Sequence, residues 1–189
     1  AASIAMRTLR FAVGFMFFHL AFWLRREIAG TAWFGLAIGL SGLATLGANF
    51  VGPSLRKRMR VETMLLLALV SVGIVGIGTA WYGRITGGIL LAAVVNAAAA
   101  IGRLAFEATV QSGAPDANRG RAFSRFETQN QMAWVAGGLV PVIFAPAGWV
   151  GFAVVGAVGV VGAVMYARMR AMTIGSRGER ATGQARRSH

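Results

Sequence analysis

Residues 128–167 read TQNQMAWVAGGLVPVIFAPAGWVGFAVVGAVGVVGAVMYA and contain no Asp, Glu, Lys or Arg. A bilayer core about 30 Å thick is crossed by about 20 mostly apolar helical residues. This run is about twice that length. Pro141, Pro146 and Gly148 interrupt it, and proline lacks the N–H that a helix interior needs. The run therefore reads as two membrane helices, residues 129–144 and 149–166. A soluble hairpin would need a charged or polar face toward water, and the stretch has none.

Four further spans lie upstream, at residues 4–24, 33–50, 63–82 and 88–111. The second and third are free of charge, whereas Arg7, Arg10 and His19 fall in the first and Arg103 and Glu107 in the fourth. A membrane barrel would need segments of about ten residues alternating apolar and polar. Residues 64–70 and 90–95 are apolar on every face, and the alanines at 97–100 favour helix. The fold class is all-α: a polytopic membrane protein with six transmembrane helices over residues 1–170. Residues 171–189, rich in Arg, Gly, Ser and Thr, read as a disordered basic cytoplasmic tail.

Composition agrees. Of 189 residues, 56% are hydrophobic and 13% charged, against roughly 25% charged in soluble domains. Mean hydropathy is +0.62, which excludes a disordered basic chain. The formal charge is +13, from 19 Lys and Arg against 6 Asp and Glu. With six spans, fifteen of the cations fall at the termini and in the second and fourth loops, and three on the other side. Basic residues mark the cytoplasmic side. Both termini are therefore expected in the cytoplasm, with the chain multi-pass in the membrane. Cations spread over four segments, without interleaved exposed aromatics, do not point to nucleic acid. The absence of an initiator Met at Ala1 points to a processed chain or a fragment.

Several residues stand out chemically. Gly35, Gly39 and Gly42 share one face of the second span, and Gly156, Gly159 and Gly162 share one face of the last. Faces without Cβ atoms let helix backbones approach closely, or let helices slide against each other. Arg103 and Glu107 are spaced i,i+4 and can neutralise each other on one helical face. Asn96 and Gln111 continue that face, so the four residues read either as a polar path or as groups near the cytoplasmic end where Arg snorkels. His19 reads either as a titrating or substrate-binding group or as a hydrogen-bonded packing residue. Arg7 and Arg10 either attract an anionic substrate or snorkel. Asp116 or Asn118 can cap a helix that starts in the interface and then enters the membrane. Gly39-Leu40-Ser41-Gly42 formally matches the GxSG of rhomboid proteases, but His19 precedes it instead of following. The chain has no Cys, and metalloprotease, paired-carboxylate and phosphate-loop patterns are absent. The reading is not an enzyme, with no catalytic residue, cofactor or metal.

The chain resembles the C-terminal six-helix half of a major facilitator superfamily transporter, of actinobacterial type, over residues 1–170. Residues 52–60, GPSLRKRMR, are similar to the family's loop motif G-x-x-x-D-R-x-G-R-R. Gly52, Lys57 and Arg60 fit it, Arg58 adds charge, Arg56 stands where Asp is expected and Met59 where the second Gly is. Residues 118–128, NRGRAFSRFET, leading to Trp134 and Gly137-Gly138, resemble the family's fourth cytoplasmic-loop region. The resemblance implies two inverted three-helix repeats and secondary transport of a small solute by alternating access. It places the first and fourth helices at the central cavity, with Arg10, His19, Asn96, Arg103, Glu107 and Gln111 as substrate- or ion-path candidates. It also implies a partner, either an N-terminal six-helix half or a second copy. The alternatives are a six-helix protein acting through helix–helix association, or an inactive remnant.

Overall fold

A computed structural model describes the backbone of residues 1–113 and 119–187 and the side chains of residues 1–109, 120 and 123–173. Six helices follow one another: α1 (Ala2–Leu24), α2 (Gly30–Arg58), α3 (Val61–Tyr82), α4 (Ile85–Gly113), α5 (Arg119–Phe144) and α6 (Gly148–Arg187). No strand occurs among the described residues. Five helices, α1 to α4 and α6, are long and apolar enough to cross a membrane.

The helix ends follow local chemistry. α5 stops at Phe144 and α6 starts at Gly148, around Pro146. At that break Ala145 takes a positive φ of 39° and its N–H bonds the Pro141 carbonyl at 2.9 Å. Gly83 closes α3 in the left-handed region at φ 65°, its N–H on the Thr79 carbonyl at 2.9 Å, a conformation that suits a residue without Cβ.

α5 departs from the expected span. Its first half carries Arg119, Arg121, Arg125, Glu127 and three amides, so the apolar part begins only at Met132. At 1.5 Å per residue that part is about 20 Å long, short of a bilayer core. α2 also differs, running to Arg58 where the span was expected to end at residue 50. Leu55, Arg56, Lys57 and Arg58 are good helix formers, and cations stabilise a helix C-terminus. α6 is helical through residues 171–187, the segment that composition reads as a disordered tail. No proline follows Pro146 to stop it.

Helix pairing is selective. α1 packs most extensively on α5, α3 on α6 and α2 on α4, with α4 also meeting α3 and α1, and α1 meeting α6. The core lies where α1, α3, α4 and α6 converge, around Leu9, Phe15, Leu20, Leu65, Leu69, Leu91, Val95 and Phe152. Glycine makes two of the crossings possible. A Cβ on Gly76 would sit 2.5 Å from Gly156 Cα, and one on Gly159 would sit 2.5 Å from the Gly73 nitrogen, so α3 and α6 meet backbone to backbone. At the α1–α5 crossing, Gly14 lies against the Trp134 carbonyl and Gly137 against the Phe11 carbonyl.

The glycines of α2 behave otherwise. Among the described residues nothing lies within 4 Å of a Cβ built on Gly35, Gly39 or Gly42. This corrects the expectation that they pack like Gly156, Gly159 and Gly162. The last of these does pack, against Thr8 and Leu69. α2 touches α4 along one side and buries only Ala37, Ala48 and Gly52, leaving Leu43 65% and Phe50 87% exposed.

Candidate functional site

The polar residues flagged in the sequence separate into three places. The first is a half-open groove of about 460 Å³ between α1, α2, α4 and α5. Its wall is apolar, built from residues such as Met16, Phe17, Phe34 and Leu46, and among the described residues no ionisable side chain lines it. Hydrogen-bonding groups interrupt that wall at Ser41, Thr45, Asn96 and Trp134. Asn96 Nδ2 donates to the Ala92 carbonyl at 2.9 Å, and Thr45 Oγ1 to the Ser41 carbonyl at 2.9 Å. Such back-bonding satisfies a hydroxyl or amide inside a helix and leaves acceptor oxygens for a solute. Sequence reasoning missed Thr45 and Trp134. Thr45 lies four residues after Ser41, one turn along the same helical face, and that spacing was the available signal.

The second place is an ionic cluster joining α1, α4 and α5. Arg103 Nε donates to Glu107 Oε1 at 2.9 Å along α4. Glu127 Oε1 of α5 accepts from Gln131 Nε2 at 2.9 Å and pairs with Arg10 Nη2 of α1 at 3.8 Å. Phe106 and Phe126 close the cluster edge to face, with ring centroids 5.3 Å apart. The space inside is about 10 Å³, room for no more than one water. The space between these groups is too small for a solute. Arg103 and Glu107 are therefore not in the cavity that Asn96 lines, so the expected single stripe divides. The side chain of Gln111, like Asp116 and Asn118, lies outside the described residues. Glu127 was not singled out from the sequence. Its signal is positional, as the last charge before the uncharged run.

The pair Arg10–Glu127 is the one ion pair between helices among the described residues. Glu127→Lys would set a third cation beside Arg10 and Arg103. With the carboxylate 38% and Arg10 22% exposed, solvent screens the pair, and the expected loss is about 1–2 kcal/mol. A charge swap, Arg10→Glu with Glu127→Arg, is expected to recover most of it. Melting temperatures of the two variants, set against the unaltered protein, check this.

The third place is an aromatic box, beside a space of about 30 Å³ that Arg26, Pro141 and Pro146 also line. His19 is buried, with Nε2 3.2 Å from the Gly148 carbonyl. Trp23 stacks on it at 6.2 Å between centroids, Phe152 meets it edge-on at 5.5 Å and Phe15 lies at 5.7 Å. Gly151 faces the ring so closely that a Cβ there would overlap it. His19 thus packs the start of α6 onto α1 and does not line the groove.

The basic segment after the second span takes the form of a helix end. Gly52, Arg56, Lys57 and Arg58 belong to α2, and only Met59 and Arg60 link it to α3. This corrects the reading of residues 52–60 as a long loop. Gly52 is buried against Leu104, and the four cations are exposed, with no carboxylate in ion-pairing range among the described residues. No group of three or more His, Asp or Glu side chains able to hold a metal occurs among the described residues.

Comparison with known proteins adds one relative. No protein-family model and no solved structure matches the chain. An uncharacterized protein of Mycobacterium leprae (strain TN) is 28% identical over 159 residues, which cover 82% of this chain and 27% of that protein. The chain is thus similar to about a quarter of a much longer mycobacterial protein.

Proposed function

We propose that the chain is the C-terminal half of a secondary transporter of the major facilitator type, moving a small solute by alternating access. The observation that carries the reading is the groove between α1, α2, α4 and α5. It is an apolar wall broken by a few hydrogen-bonding groups and open on the side where α2 leaves its glycines uncovered. Half of a central site should look like this, since one six-helix unit supplies only one wall.

The helix pairing supports the same reading. Exchanging the first three helices for the last three turns the α1–α5 pair into α4–α2 and α1–α6 into α4–α3, and leaves α3–α6 and α1–α4 unchanged. Two three-helix repeats related by a pseudo-twofold axis pair in this way. The relative's greater length leaves room for a first half. In this reading both termini face the cytoplasm of a bacterial inner membrane, because most of the cations would then lie there.

The groove also favours a substrate class. With no ionisable residue in the wall, a charged solute would lose hydration without gaining a counter-charge. A neutral, mostly apolar solute with one or two hydrogen-bonding groups fits better, which is compatible with export of lipophilic compounds.

The test is flux of neutral lipophilic solutes in vesicles containing the complete protein. Asn96→Ala is expected to lower flux about tenfold, the equivalent of one hydrogen bond near 1.4 kcal/mol, with the amount of folded protein unchanged. Unaltered flux would exclude the groove as the path. The uncovered glycine face of α2 also favours a second reading, a six-helix protein that works by binding a partner helix. In that case Gly39→Leu abolishes association while no solute moves with either variant.

A further inference from the structure

We propose that the groove between α1, α5 and α6 is a binding site for one acyl chain of an anionic phospholipid, with Arg7 holding the phosphate. The groove is a shallow, largely open trough of about 620 Å³, distinct from the one between α1, α2, α4 and α5, and is walled by apolar groups including Phe11, Ala133, Val158 and Val161. Among the described residues the one charged group in its lining is Arg7.

Length and charge together select the occupant. Along α6 the lining runs from Val154 to Met165, about 16 Å at 1.5 Å per residue. That is half the thickness of a bilayer core, the depth of a single leaflet. A partner helix would need a groove through both leaflets, so a lipid chain fits better. Gly162 of α6 meets Thr8 of α1, so Arg7 and Met165 lie together at one end of the groove, where a headgroup would sit. Exposed Arg168 follows Met165 by three residues on the same helix and adds a second cation at that level.

Arg7 itself calls for a partner. Its Nε donates to the Ser3 carbonyl at 3.3 Å, and no carboxylate pairs with it among the described residues. A half-buried guanidinium on a membrane helix is costly without a counter-charge, and a phosphate supplies one with the geometry arginine prefers. The proposal rests on membrane insertion of α1 and α6 but not on transport. A failed flux assay leaves it standing.

The experiment uses the complete protein in vesicles containing phosphatidylglycerol or phosphatidylcholine that carry a photoactivatable group on one acyl chain. Labelled peptides are then mapped by mass spectrometry. Phosphatidylglycerol is expected to label the Phe11 region of α1 and residues 154–165 of α6 in preference to the exposed faces of α2 and α3. Arg7→Gln is expected to lower that labelling about fivefold, the worth of one cation at the membrane surface, and to lower labelling by phosphatidylcholine, whose choline cation offsets its phosphate, by less. Arg7→Lys should retain most of it. Labelling spread evenly over α2, α3 and α6 would overturn the site. An unchanged phosphatidylglycerol preference in Arg7→Gln would overturn the role of Arg7. Protection of the groove from both lipids would show that protein, not lipid, covers it.

Discussion

Replacing Gly76 by leucine is expected to remove nearly all folded protein from the membrane, while Gly39→Leu leaves the folded amount within about twofold. At Gly76 the atoms that a side chain would meet are Gly156 Cα at 2.5 Å, Gly156 N at 2.6 Å and the Phe152 carbonyl. These belong to a neighbouring backbone and cannot rotate away. Overpacking of flexible side chains already costs about 1–3 kcal/mol. Forcing α3 from α6 would also break the contacts of Leu69, Val72, Phe152 and Val155 in the shared core, and a typical domain has only about 5–15 kcal/mol in hand. Gly39 has no neighbour within 4 Å among the described residues, so leucine there meets none of them. Detergent extraction followed by fluorescence-detected size exclusion measures both variants. If Gly76→Leu gave a normal monodisperse peak, the backbone-to-backbone crossing would be wrong.

The second large effect is expected at His19. Truncation to alanine would open a cavity among Phe15, Trp23 and Phe152 and remove the contact with the Gly148 carbonyl. A buried ring of this size is worth about 3 kcal/mol when cut back. At about 2–4 °C per kcal/mol for a domain of this size, the melting temperature should fall by about 10 °C. His19→Phe keeps the ring contacts and loses only the polar contact, for which about 1 kcal/mol is expected. If the chain transports as proposed, flux per folded molecule should be unaffected by either change, because the ring does not line the groove that Asn96 lines. A flux defect in His19→Phe at normal stability would return His19 to the solute path. The two substitutions thus separate packing from chemistry.

Both results turn on information that spacing along the chain does not hold. Gly35-x-x-x-Gly39 and Gly156-x-x-Gly159 look alike as strings, and each makes a smooth helix face. Only the second has a facing partner, supplied by Gly73 and Gly76 some eighty residues away. The same holds for the polar residues. Asn96, Arg103 and Glu107 share a helix and nearly a face, yet seven residues of rise carry Asn96 into the groove while the other two meet the cluster around Glu127. Glu127 was passed over because its ion-pair partner, Arg10, lies at the far end of the sequence.

What the sequence determined by itself is the all-helical class, the six helices in order and the break around Pro146. Each is a local property: a run of apolar residues long enough to span a bilayer, or a proline that cannot donate to the helix ladder. The start of α5 in a charged segment was legible for the same reason. Tertiary structure decided which glycines are crossings and which are an open face. It also buried His19 among rings and brought Arg10 to Glu127. These outcomes depend on which surfaces meet. In helix bundles that choice is made by close packing between residues distant in the chain, where a single Cβ decides whether two backbones can touch.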